Sequence, residues 1–408
     1  MTKKSASFFR SYSSLVLALL LIGTLSACDT MDFMGGTSQQ TPAPDYAAAP
    51  SEATTEAAPL MKPEDAQVKR IALLLPLSGP DQALGQAMLN AAQMALADAG
   101  ANNIELVPKD TGAKVAAEAA QKITLAAEEA VSEKASLVLG PVFSSAAAQA
   151  KPVMASAKIP MITFSNDSRL AGYGTFVLGP LQYDQVATVL THAKQLGRSR
   201  VTVIAGNDAF GNAIVNSANI YAQQNVFPAP QVVRLVEDSP ASWRATLAKY
   251  FVAGSEPQAV LIAFRGAALS NIAQTLTAMG FPPEKLLRLG ASSWFEQPIP
   301  NAGALEGGVV AAPDPQYKKR FVDNYTKLFK STPPVLAGYA YDAVALAAVL
   351  ARQPDASFSS AQLASPSGFI GNDGLFRFLP NGLNQRALAL WQFRNGKLEI
   401  IQPAVSSF

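Results

Sequence analysis

Residues 71–75, Ile-Ala-Leu-Leu-Leu, form a continuous apolar run too short for a helix. With no polar alternation, the run predicts a strand buried on both faces, as in a parallel sheet covered by helices. Pro76, Gly79 and Pro80 stop that strand and form a loop. Residues 86–99 are rich in alanine and contain no Gly or Pro, which predicts a helix. Strand, Ser-Gly turn and helix together set backbone N–H groups and the Ser78 hydroxyl at the carboxyl end of a parallel sheet. Open α/β folds bind ligands there. An ordinary βα loop would look the same over this segment alone.

The pattern recurs down the chain. Strand-like runs at residues 104–107, 135–139 and 161–164 alternate with helix-like segments at 113–134 and 146–157. A second series has strands at 201–205, 231–235, 259–263, 286–289 and 307–311 and helices at 185–197, 241–251 and 268–279. Repeated βα units predict a doubly wound parallel sheet. Residues 316–329 predict a helix with Phe321, Tyr325 and Phe329 four apart, a core stripe, and 337–351 predict an apolar helix. Residues 369–401 hold short β segments around Gly-Asn-Asp-Gly and Pro-Asn-Gly turns.

The 408 residues, 49% of them hydrophobic, are enough for two lobes with their own cores. A net charge of +2 offers no basic field, so no nucleic acid partner is expected. One cysteine, Cys28, rules out an internal disulfide and a cysteine-based zinc site. Lys3, Lys4 and Arg10 precede an apolar run at 15–25, followed by Leu25-Ser26-Ala27-Cys28. That is the order of a signal peptide ending in a bacterial lipobox, with Cys28 as the residue that takes the lipid. The run is shorter than the ~20 residues of a spanning helix. Residues 1–28 are therefore expected to be a lipoprotein signal peptide with lipobox, leaving the mature chain membrane-bound through lipidated Cys28. Asp29 resembles the inner-membrane retention signal of enteric bacteria, so a periplasmic protein anchored to either the outer or the inner membrane is expected. Residues 29–68, rich in Ala, Pro, Thr, Ser, Gly and Glu, are expected to form a disordered tether.

Seven short pieces stand in one order: Leu75-Pro76-Leu77-Ser78-Gly79 with Gly85; Asp110-Thr111; Gly140-Pro141-Val142 with Ser144-Ser145; Ile159-Pro160-Met161-Ile162; Asp208-Ala209-Phe210-Gly211; Ala340-Tyr341-Asp342-Ala343; and Gly371-Asn372-Asp373-Gly374-Leu375-Phe376 before Gly382. On these, the chain from about residue 69 to 401 resembles the type I periplasmic binding proteins, the leucine/isoleucine/valine-binding class. Residues 71–79, Ser292-Ser293-Trp294-Phe295 and 308–315 further resemble the penicillin-binding protein activator lipoproteins. Enteric activators carry a helical-repeat domain ahead of this module, where this chain has only the tether.

The resemblance implies an α/β fold of two Rossmann-like lobes with parallel sheets, joined by three crossover hinge segments near Leu181, Glu306 and Arg377. Lobe one would span 69–181 plus 307–376, and lobe two 182–306 plus 377–402. A ligand would lie in the cleft, and lobe closure would be the functional motion. The implied partners are a peptidoglycan synthase or an ABC permease, and a small carboxylate ligand; no cofactor is implied.

Ser144 and Ser145 precede a predicted helix, where a hydroxyl and N–H groups can receive a carboxylate, although plain N-capping needs the same residues. By family position, Ser78 and Ser165 would line the same wall, and Phe210, Arg265 and Ser292 or Trp294 would face them. Two features depart from an amino-acid site. The loop Gly290-Ala291-Ser292-Ser293 lacks the carboxylate that would take an ammonium, and Phe210 stands where tyrosine is usual. No catalytic residue is expected: His192, the one histidine, reads as solvated, and there is no nucleophile elbow, phosphate loop or His-based metal set.

Overall fold

The computed structural model describes residues 68–408 except 237–238, 296–298, 300–301, 354 and 356. The signal peptide, Cys28 and the tether to residue 67 lie outside the described residues.

The first sheet is built from β1 (Lys69–Leu75), β2 (Ile104–Asp110), β3 (Leu137–Leu139), β4 (Met161–Thr163) and β5 (Thr175–Val177), with α1 (Gln82–Ala99), α2 (Ala116–Ser132) and α3 (Ser144–Ala157) between them. All its pairings are parallel, in the order β2-β1-β3-β4-β5. β1 shows why its sequence is apolar throughout. Ile71, Leu73 and Leu75 pack on one face with Met88 of α1, while Ala72 and Leu74 pack on the other with Ile123 and Ala150. Each face has its own core, so neither set of alternate side chains can be polar. β2 runs on through Pro108, three residues beyond the expected end at Val107. It is an edge strand, where a missing N–H is tolerated.

The second series contains α4 (Gln182–Gln195), β6 (Val201–Ala205), α5 (Ala209–Gln224), β7 (Gln231–Arg234), α6 (Pro240–Ala248), β8 (Ala259–Ala263), α7 (Gly266–Ala278), β9 (Leu287–Gly290) and β10 (Val309–Ala312). The chain then returns to the first lobe with α8 (Pro315–Phe329) and α9 (Val335–Ala351). Phe321 and Tyr325 of α8 pack with Ala91 and Met94 of α1, and Tyr339, Val344 and Ala347 of α9 join the core over β1. A three-stranded antiparallel sheet follows, β11 (Phe369–Gly371), β12 (Gly374–Phe378) and β13 (Asn384–Arg386). β14 (Ala389–Arg394) and β15 (Lys397–Gln402) complete the second sheet, whose order is β15-β14-β10-β9-β8-β6-β7.

Two boundaries differ from expectation. β10 pairs in parallel with β9 and antiparallel with β14, so residues 309–312 belong to the second sheet, not to lobe one. Its Val-Val-Ala-Ala sequence is buried on both faces and would suit the middle of either sheet. The second crossing therefore falls between Ala312 and Pro315 rather than near Glu306. β13 stays with the first lobe: Asn384 Nδ2 donates to the carbonyls of Val177 and Gly179, both at 2.7 Å. The third crossing thus falls between Arg386 and Ala389, not near Arg377. The fold is the two-lobed α/β architecture with a parallel first sheet and a mostly parallel second one.

Candidate functional site

The first-lobe wall is built from loops that leave the carboxyl ends of β1, β3 and β4. Asp110 organises the first of them. Its Oδ1 accepts from the N–H groups of Leu77 and Gly112, both at 2.8 Å, and its Oδ2 pairs with Lys122 Nζ at 2.6 Å. Burial opposes its charge, but Lys122, Ser78 and the two N–H groups outweigh it and hold the carboxyl below its ordinary range. Ser78 belongs to this network, since its Oγ donates to Gly112 O at 3.1 Å and accepts from Lys122 Nζ at 2.8 Å. A Cβ on Gly112 would lie 2.0 Å from Ser78 O, so only glycine lets the two loops meet.

α3 begins at Ser144, two residues earlier than expected, and Phe143 is its N-cap with no side-chain cap bond. Ser144 and Ser145 are thus the first two helical residues, and neither serves as the cap. Ser144 Oγ lies 2.8 Å from Ser165 Oγ, while Ser145 is exposed. Ser165 is buried, and its Oγ accepts from Asp167 N at 3.1 Å. One hydroxyl proton joins the two serines, which leaves the other for an outside acceptor beside the positive end of α3. A carboxylate or a neutral oxygen would satisfy it.

The second-lobe wall has different chemistry. Asp208 caps α5 by accepting from Gly211 N at 2.7 Å, which fixes Phe210 in the first turn. The Arg265 guanidinium carbon lies 4.0 Å from the Phe210 ring centroid, a cation stacked on an aromatic face. Ser292 is half-buried, and its N–H donates to Gln185 Oε1 of α4 at 2.8 Å. Trp294 does not line a wall. It is 2% exposed and belongs to the core between the sheet and α6 and α7. Gly290 and Gly308 make its slot: a Cβ at 290 would lie 2.2 Å from the indole, and one at 308 would lie 3.0 Å from it. The structure therefore joins Ser144 with Ser165 and Phe210 with Arg265, ties Ser78 to Gly112 and Lys122 and the Ser292 backbone to Gln185, and removes Trp294 to the interior.

A buried polar cluster near the crossings was not foreseen. Arg386, at the end of β13, is 5% exposed and lies 5.2 Å over the rings of both Tyr339 and Phe376. Its Nη2 donates to Leu178 O at 2.7 Å, and its backbone N donates to Asp184 Oδ2 of α4 at 3.1 Å. Burial raises the Asp184 carboxyl to about 7, against the pull of Arg386. Asp342, within the apolar helix α9, is also raised to about 7 by burial, although Asn372 N and Nδ2 both donate to it. An aspartate inside an otherwise apolar helix was the sequence signal for this cluster. His192 is half-buried rather than solvated, and burial lowers its pKa. Among the described residues, no group of three or more His, Cys, Asp or Glu could hold a metal, and no helix is long and apolar enough to cross a membrane.

The sequence profile of the periplasmic binding proteins matches residues 69–371. No curated protein matches the chain. Among solved structures, a Rhodospirillum rubrum protein described as a branched-chain amino acid ABC transporter superposes with a TM-score of 0.68 at 19% identity, covering 82% of this chain and 100% of that one. An ABC transporter substrate-binding protein from Desulfitobacterium hafniense in complex with Leu gives 0.56 at 19% identity, with coverage of 82% and 100%. Haemophilus influenzae LpoA gives 0.63 at 16% identity; the match covers 82% of this chain but only 59% of that protein. With its two lobes, its sheet order and three-quarters of its length under one family profile, the chain belongs to the periplasmic binding proteins, in the type I class of the leucine-binding proteins.

Proposed function

We propose that this chain is a non-catalytic, lipid-anchored periplasmic protein that regulates peptidoglycan synthesis, in the manner of the penicillin-binding protein activators, with a peptidoglycan synthase as its partner. The observation that carries this reading is the second-lobe wall. It sets the Arg265 guanidinium on Phe210, and residues 290–294 hold no carboxylate. An α-amino acid would bring its ammonium to a loop that offers no carboxylate, and would lose the partner it needs when buried. A module of this class without an amino-acid wall is suited to work through its surface. Lipidation at Cys28, ahead of the expected tether of residues 29–68, would hold the module at the membrane within reach of envelope enzymes. Affinity capture with the full lipidated chain from detergent-solubilised envelope should recover a bifunctional synthase. Recovery of importer permeases without a synthase would overturn this reading.

A second reading rests on the first-lobe wall. The Ser144–Ser165 pair at the start of α3 suits a small carboxylate. On that reading the chain is the solute-binding subunit of an ABC importer for amino acids or related small ligands, and its partner is an ABC permease. Sub-micromolar calorimetric binding of a branched-chain amino acid would favour it.

A further inference from the structure

A cavity of about 410 Å³ lies where the lobes meet beside two of the crossings. Its walls come from the segment after β4, the first turn of α4, one side of α5 and residues 379–385. None of Ser78, Ser144, Ser145, Phe210, Arg265 or Ser292 lines it, so it is separate from both walls described above. Its volume falls within the roughly 300–1,000 Å³ of small-molecule sites.

The chemistry of its lining is selective. Seven of the sixteen lining residues are Asn or Gln and two are Ser, while Asp184 is the one ionisable acid and no Lys or Arg takes part. Several carboxamides are held at one end only. Tyr183 Oη donates to Gln224 Oε1 at 2.7 Å, and Leu383 N donates to Asn381 Oδ1 at 3.1 Å. Asn384, 2% exposed, uses its Nδ2 on Val177 and Gly179, and its Oδ1 has no partner; Gln182 Oε1 is likewise buried and unpartnered. Both oxygens are closed to solvent, so the polar groups open to a ligand here are the exposed carboxamides of Asn166, Asn216, Gln224 and Asn381. Leu181, Ile220, Leu379 and Leu383 supply apolar surface among these groups. Carboxamide donors and acceptors with a single carboxyl among them, beside apolar patches and one aromatic ring, match a ring-shaped polyol with hydroxyl edges and C–H faces.

We propose that this cavity is a second ligand site, for an uncharged saccharide of one or two rings. Its walls belong to both lobes, so its occupancy is linked to the angle between them. The proposal does not depend on which envelope partner the protein serves.

The test is calorimetric titration of the full chain, kept in a detergent without sugar headgroups, with N,N′-diacetylchitobiose and with maltose as probes. At least one disaccharide should give saturable heat. The Asn216→Ala/Asn381→Ala double variant should weaken that binding at least about tenfold. Both side chains are exposed, so folding should be kept. Ala213→Phe, which fills the cavity, should abolish binding, and Ser144→Ala should leave it unchanged. No saturable heat from either probe up to about 10 mM would overturn the proposal. So would binding that survives in the double variant, or binding lost with Ser144→Ala, which would put the sugar in the cleft. If Ala213→Phe fails to fold, the double variant still decides.

Discussion

The two walls of the candidate cleft come from the same recipe, a buried strand followed by a loop and a helix, and they end with opposite chemistry. In the first lobe the recipe yields hydroxyls beside the open start of α3, together with a separate carboxylate network around Asp110 at the end of β2. In the second lobe it yields a cation lying on an aromatic ring, and the loop that would carry an acid instead sends Trp294 down into the core. The difference teaches that a strand-end loop supplies a location, while the side chains that reach the cleft are chosen by packing. Gly290 and Gly308 show this most directly, since their missing side chains are the space the indole fills.

The comparison can be broken at its strongest point first. Trp294→Ala should destabilise the protein by about 3–5 kcal/mol, as expected for a large buried side chain, in urea unfolding. A loss below about 1 kcal/mol would return Trp294 to the wall. Next is the junction of the lobes. Burial raises Asp184 from an ordinary value near 3.8 to about 7. Between these values the native state holds a proton that the unfolded chain has released. This carboxyl's contribution is therefore complete below about pH 4 and is lost as pH rises through about 7. Asp184→Asn keeps an acceptor for Arg386 N and cannot ionise. Its stability relative to wild type should rise by roughly 2–4 kcal/mol from about pH 4.5 to about pH 8. His192 titrates with the opposite sign, its pKa being lowered by burial, and it cancels because both proteins carry it. A pH-independent difference in thermal unfolding would show that Asp184 is not held neutral. The smallest effect sharpens the first wall. Ser144→Ala removes the bond to Ser165 and should cost about 1 kcal/mol in chemical unfolding, with any carboxylate affinity falling in parallel. An unchanged protein would mean that the serine pair contributes nothing.

Much of the scaffold was legible because the information is local. The 71–75 run implied two covered faces, and the structure supplies one core on each. The Phe321, Tyr325 and Phe329 stripe implied a buried helix face, and it packs on α1. The misplacements were non-local. β10 has a sequence that any central strand could use, and only its pairing with β9 and β14 assigns it to the second sheet. The Asp184–Arg386 contact joins residues 202 positions apart, so no spacing rule could find it. Ser144 and Ser165 were named for the same wall, but their mutual hydrogen bond depends on β3 and β4 being neighbours.

By itself the sequence determined the alternation of strands and helices and the strand-end loops where a ligand would be met. Those follow from apolar periodicity and turn residues acting over a few positions; the two-lobed arrangement was implied by the family resemblance. Only the tertiary structure decided which sheet β10 joins, that Trp294 is core, that Arg265 lies on Phe210, and that Asp184 and Arg386 meet where the lobes cross. Each of these turns on which distant surface is nearest, and burial and hydrogen bonding reward proximity in space whatever the separation along the chain.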